Sequence, residues 1–166
     1  MKSFFYYQQL IKHYGSATLI DVLHSPFVFA LYNDCIKKKG NVQLPDFTPQ
    51  STGYLNQRGE TILDKFKSQY PNHLFATHPA HVAQGVRFIF MLTEDVSLIE
   101  LQKVISIAHN ESVIIVKNMY DSPISAARWK AIKHLEGVTA SVDLFVLGFV
   151  FVRKEQRKQE FKLRIL

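Results

Sequence analysis

Three imidazoles stand within nine residues of one another, His73, His78 and His81 in the segment HLFATHPAH, and three such rings can hold zinc. That segment predicts a strand followed by a turn, so the rings need not converge, and no carboxylate or cysteine lies within it. Ordinary hydrogen bonding at strand ends is the better reading, and no metal site is expected. His24, in HSPF, has the chemistry of a base. Its position beside Ser25 and Pro26 points instead to fixing the entry of a helix, with Ser25 as the cap. Asn118, Tyr120 and Asp121 follow an apolar run that reads as a parallel strand. The carboxyl ends of such strands are where α/β sheets bind ligands, so these three and His24 are the candidate ligand residues. No residue is assigned a catalytic role.

Other chemistries are excluded by spacing. A phosphate-cradling loop needs glycines two to five apart so that backbone N–H groups can approach the ligand. The nearest pair here, Gly53 and Gly59, is six apart. The patterns G-x-G-x-x-G, G-x-x-x-x-G-K, H-E-x-x-H, C-x-x-C and G-x-S-x-G do not occur. Cys35 is the only cysteine, so no disulfide framework exists and a reducing compartment is expected. The N-terminal apolar patch is interrupted by Gln8, Gln9, Lys12 and His13, and no apolar run approaches the roughly 20 residues of a membrane span. A cytoplasmic location with no membrane partner follows as the expectation.

The elements that must position these residues can be read from periodicity. The 166 residues, 47% hydrophobic and 20% charged, suit one domain. Phe4, Phe5, Leu10, Ile11 and Tyr14 predict a short helix closed by Gly15. Ser25 and Pro26 start a second helix that ends before Lys37, Lys38, Lys39 and Gly40. Residues 1–40 thus form a helical segment, and residues 41–58, with two prolines and a glycine, read as a linker. An α/β core follows over 59–166: a helix from Glu60 to Tyr70, strands at His73–Thr77, Val86–Leu92 and Val113–Val116, a helix from Asp95 to His109, and a helix from Ser122–Pro123 to Gly137. Apolar strands alternating with amphipathic helices predict a mostly parallel sheet covered on both faces. The last thirty residues alternate polar and apolar, and their short connections predict an antiparallel edge.

The net charge of +6 is local. Residues 153–166 carry Arg153, Lys154, Arg157, Lys158, Lys162 and Arg164 against Glu155 and Glu160, a net +4, and the lysine cluster at 37–39 adds +3, which leaves the remainder at −1. Six cations invite a nucleic-acid partner. Protection of a sheet edge and the negative end of a helix dipole account for them better, so nucleic acid is not favoured.

HSPFVFALY (24–32) at the front, with Trp129, Lys133, His134, Asp143-Leu144-Phe145, Gly148, Arg153-Lys154-Glu155-Gln156 and Phe161-Lys162-Leu163-Arg164 at the back, resembles a bacterial group of class I S-adenosylmethionine-dependent methyltransferases. The resemblance implies a truncated Rossmann-like fold whose fourth and fifth strands are Val86–Leu92 and Val113–Val116, with the hairpin around Gly148 as the sixth and seventh. It also implies an acidic, glycine-rich turn and a ribose-binding acid, and here the space between Gly40 and Gly59 is too short for that strand–helix–strand unit. Met91-Leu92-Thr93 stands where the family has an acid after its fourth strand. Lys117-Asn118 stands in place of its Asp-Asp pair. The expectation is a degenerate methyltransferase-like protein without adenosylmethionine or any other cofactor, serving as a protein-interaction module or self-associating. The alternatives are a methyltransferase whose site is completed by oligomerisation, or a nucleic-acid binder using the basic C-terminus.

Overall fold

A computed structural model describes residues 2–17, 25–37 and 49–165. His24, Lys38, Lys39, Gly40 and residues 41–48 of the expected linker lie outside the described residues. The element order is α1 (Phe4–Ser16), α2 (Pro26–Leu31, continued by a wider turn Tyr32–Ile36), α3 (Pro49–Gln69), β1 (Leu74–Ala76), a 3-10 turn (Pro79–His81), β2 (Phe88–Leu92), α4 (Leu98–Ile107), β3 (Val113–Lys117), α5 (Pro123–Lys133), β4 (Ala140–Asp143), β5 (Leu147–Phe151) and β6 (Gln159–Lys162).

The six strands form one mixed sheet in the order β1-β2-β3-β5-β4-β6. β1, β2 and β3 run parallel, and β5 inserts antiparallel between β3 and β4, which itself runs in the direction of β3. Side chains alternate between two cores. Ile89, Val113, Ile115, Val142, Phe149 and Phe151 pack with α1, α2 and α3 on one face. Phe88, Phe90, Leu92, Ile114, Val116 and Val150 pack with α4 and α5 on the other. The two-sided covering explains why FIFML and VIIVK are apolar without a break.

Several expectations need correction. Residues 49–58 are not linker but the first half of α3, a helix that carries Gly53 and Gly59 in its interior. Packing overrides the low helix propensity of glycine there: Leu55 is fully buried, and a Cβ on Gly59 would lie 2.9 Å from Val146 Cγ2. Arg58, also buried, donates to the carbonyls of Ile36 and Ile165 and so ties α3 to the second helical segment and to the C-terminus. In α1 the inward stripe is Tyr6, Leu10, His13 and Tyr14, whereas Phe4 and Ile11 face solvent. α4 is capped by Ser97, whose hydroxyl accepts the Glu100 N–H while Glu100 returns the bond to the Ser97 N–H; Asp95 lies outside the helix.

The final segment differs most. The hairpin is central rather than an edge, and every residue from Ala140 to Val152 is buried, including Ser141 and Asp143. β6 runs antiparallel to β5, its predecessor in the chain, as a short connection demands. It pairs, however, with β4, and that pairing is parallel. Residues 152–158 pass over the end of β4 to reach the edge.

Candidate functional site

β3 delivers Lys117 to the carboxyl edge of the parallel strands, and residues 118–121 turn there before Ser122 caps α5. Asn118 adopts a left-handed conformation (φ 55°), which its short amide side chain tolerates, and its N–H donates to the Val146 carbonyl at 3.1 Å. The three predicted residues stand at this edge as expected, yet they do not converge. Asn118 is exposed. Asp121 pairs with Lys2 at 2.6 Å, which fastens the start of α1 to the sheet. Tyr120 turns inward and stacks on Phe145, ring centroids 5.0 Å apart and planes 12° from parallel.

The cleft between the ends of β2 and β3 holds only about 50 Å³. Arg128 of α5 crosses it and donates to the carbonyls of Thr93 (3.1 Å), Glu94 (3.0 Å) and Val96. Lys117 pairs with Glu60 of α3 beside a hollow of about 210 Å³ that also borders Asn118. Lys2, Lys117 and Arg128, the cations at this edge, are matched to acceptors within the chain.

Behind the cleft lies a polar network that sequence reasoning missed. Asp143, 3% exposed, accepts from Tyr120 Oη (2.5 Å) and Trp129 Nε1 (3.1 Å) on Oδ2 and from the Phe145 N–H (2.9 Å) on Oδ1. His13 Nδ1 stands 3.5 Å from Oδ1. Its Nε2 lies 3.1 Å from the Leu163 carbonyl, which can only accept, so Nε2 carries the proton and Nδ1 is left without a hydrogen-bond partner. Burial holds the His13 ring below its ordinary pKa, with Lys162 and Arg164 acting in the same direction and Asp143 against it. Burial first, then the Asp143 charge, pushes the Tyr120 phenol well above its usual range. The network joins α1, β4, α5 and the turn after β3, and it borders the small cleft of about 50 Å³ through Trp129. One signal was available: two polar residues, Ser141 and Asp143, in a segment otherwise as apolar as β2 and β3.

Two of the three histidines are neighbours, the His78 and His81 ring centroids standing 5.7 Å apart, and among the described residues no third ligand joins them. His73 precedes β1 and faces the Glu111 carbonyl at 3.1 Å, while His78 accepts the Ala80 N–H at 3.2 Å in the turn beyond β1. Among the described residues no group of three or more His, Cys, Asp or Glu side chains is placed to hold a metal ion, and no helix is long and apolar enough to cross a membrane. Half of the basic C-terminal run is engaged within the chain: Arg153 lies over the Phe27 ring, Lys162 donates to Ser16 Oγ, and Arg164 donates to the Tyr14 carbonyl.

No family model, curated protein or solved structure matches the chain.

Proposed function

We propose that the chain is a methyltransferase-like scaffold with a Rossmann-like sheet that has lost adenosylmethionine binding and methyl transfer and serves protein interaction. The observation that carries this reading is the closed carboxyl-edge cleft. Its roughly 50 Å³ compares with the roughly 300 Å³ or more of a small-molecule site, and Arg128 spans the remaining opening. The order of strands supports the lineage: a sheet of like-directed strands with the single antiparallel strand β5 inserted between β3 and β4. Only residues 77–87 connect β1 to β2, with a single turn of 3-10 helix between them. On this reading the short interval between β1 and β2, like the one between Gly40 and Gly59, leaves no room for a cofactor-binding strand–helix–strand unit. The residues that follow β3 are spent on the fold, with Lys117 on Glu60 and Asp121 on Lys2.

The interaction role rests on β1. It has no strand on its outer side among the described residues, and Leu74 and Phe75 are both more than 40% exposed. Such an edge is a template for a further strand. Calorimetric titration with adenosylmethionine and with its demethylated product is expected to give no binding heat. Micromolar affinity for either would overturn the loss of the cofactor. Sedimentation over a concentration series tests the second half: a strict monomer at high concentration removes self-association as the form that interaction takes.

A further inference from the structure

A separate hollow lies at the opposite end of the sheet, where β1, β2 and β3 begin. It encloses about 170 Å³ between Phe27 of α2, Tyr70 at the end of α3, Phe151 at the end of β5 and the residues that lead into β3. Its wall is aromatic and braced. Phe27 meets Phe151 edge-on at 4.6 Å, and Tyr70 is held between Phe66 (4.7 Å) and the His73 ring (4.9 Å).

Most polar groups around this hollow are already satisfied. Arg87 Nε is 2.7 Å from Glu111, so that pair contributes no net charge. Asn110 donates to Glu155 and accepts the Lys154 N–H, both at 2.7 Å, and Ser112 accepts the Phe88 N–H. Two groups differ. The Arg153 guanidinium lies over the Phe27 ring, its Cζ 4.3 Å from the centroid, and makes no side-chain hydrogen bond or ion pair among the described residues. The Tyr70 hydroxyl likewise has no partner among them. The two are electrostatic neighbours: burial raises the Tyr70 phenol above its usual pKa, and the Arg153 charge is the leading influence against that rise.

With its Cζ over the Phe27 ring and no acceptor among the described residues, the Arg153 guanidinium keeps its N–H donors, and paired guanidinium donors match a carboxylate. With Arg87 neutralised there is no second cation for a dianion such as phosphate. The volume sets the size of the rest, because a cavity of about 150 Å³ lined by apolar groups holds one benzene ring. An open groove of about 540 Å³ shares Phe27 and Arg153 with the hollow.

We propose that this hollow binds a small aromatic carboxylate, with its single ring among Phe27, Tyr70 and Phe151 and its carboxylate on the fork of Arg153. The Tyr70 hydroxyl is the second donor. This site is independent of the carboxyl-edge cleft and stands whether or not the chain binds adenosylmethionine.

The test is an NMR titration of the full chain with benzoate, benzamide and acetate. Benzoate is expected to give saturable shifts at Tyr70, Asn110, Ser112 and Val113, with a dissociation constant on the order of 1 mM. Benzamide, which lacks the charge, and acetate, which lacks the ring, are each expected to bind at least about tenfold more weakly. Arg153→Lys keeps the charge but removes the fork, and is expected to weaken benzoate severalfold with the rest of the spectrum unchanged. No saturable shift up to about 10 mM benzoate, or benzamide binding as tightly as benzoate, overturns the proposal. The comparison of the three ligands on the unaltered chain decides the matter even if the variant fails to fold.

Discussion

The Tyr120 hydroxyl sits 2.5 Å from Asp143 Oδ2, so a side chain that leaves the sheet at the carboxyl edge of its parallel strands is turned back into the core. The carboxylate it meets also holds the Trp129 indole of α5 and the Phe145 N–H of the β4–β5 turn. Tyr120 is a strut between the turn after β3 and the central hairpin.

Removing that strut has a graded cost. Tyr120→Phe leaves Asp143 with two donors, and the loss of one hydrogen bond to a charged acceptor is expected to cost about 1.5–3 kcal/mol. Asp143→Ala strands the Tyr120 hydroxyl, the Trp129 N–H and the Phe145 N–H together in the core. It is expected to cost more than Tyr120→Phe and to leave little folded protein at moderate urea. Urea unfolding followed by Trp129 fluorescence ranks the two; equal midpoints for Tyr120→Phe and the parent chain would remove the strut from the energetics.

His13 supplies a pH dependence whose sign follows from its burial. Its folded pKa is lowered from 6.5, so above about 6.5 the ring is neutral in both states and contributes no proton linkage. As pH falls below 6.5 the unfolded chain takes up a proton that the buried ring resists, and stability declines. The facing groups are Asp143 of β4, Lys162 of β6 and Arg164 beyond it, and the two cations deepen the effect. His13→Asn is expected to lower stability at neutral pH and to flatten its fall between about pH 6.5 and pH 5. Denaturation midpoints measured across that window show it; a slope identical to the parent's would place the proton uptake elsewhere.

Gly148 lies directly under Trp129. A Cβ on it would come within 2.8 Å of the indole Cη2 and 2.5 Å of Met119 Sδ. Gly148→Ala is therefore expected to cost about 1–3 kcal/mol by overpacking. Pairing it with Met119→Ala, which vacates one of the two clashing positions, is expected to lower the further cost of the Gly148→Ala step. A thermodynamic cycle of the four chains measures the coupling, and strict additivity would mean that the clash is relieved by backbone movement instead.

What could be read in the chain divides along lines of locality. The runs FIFML and VIIVK, the Ser25-Pro26 and Ser122-Pro123 starts and the hairpin at Gly148 announce themselves, because their signals lie within a few residues of the elements they specify. The first half of α3 does not: Gly53 and Gly59 argue for a loop, and the helix exists because Leu55, Arg58 and Gly59 meet partners at Ile36, Val146 and Ile165. Asp143 and His13 were equally hidden. Their partners lie at Tyr120, Trp129 and Leu163, so neither spacing nor periodicity points to them. Asn118, Tyr120 and Asp121 were placed at the correct edge by the parallel-strand rule, but which way each side chain turns is decided by groups as remote as Lys2.

Arg128 tests whether the carboxyl-edge cleft is closed by one side chain or absent by design of the whole edge. Its guanidinium satisfies the carbonyls of Thr93, Glu94 and Val96, of which Val96 is buried. Arg128→Ala is expected to cost about 1–3 kcal/mol and to speed amide exchange through residues 93–97. It widens the cleft without supplying what a nucleoside would need, since no carboxylate follows β3 at Lys117 or Asn118 and no glycine-rich turn follows β1. Calorimetry of the variant with adenosylmethionine should therefore show no more heat than the parent chain. Affinity gained on removing Arg128 would mean that a competent site lies beneath the plug, and that the chain is a gated binder rather than a scaffold.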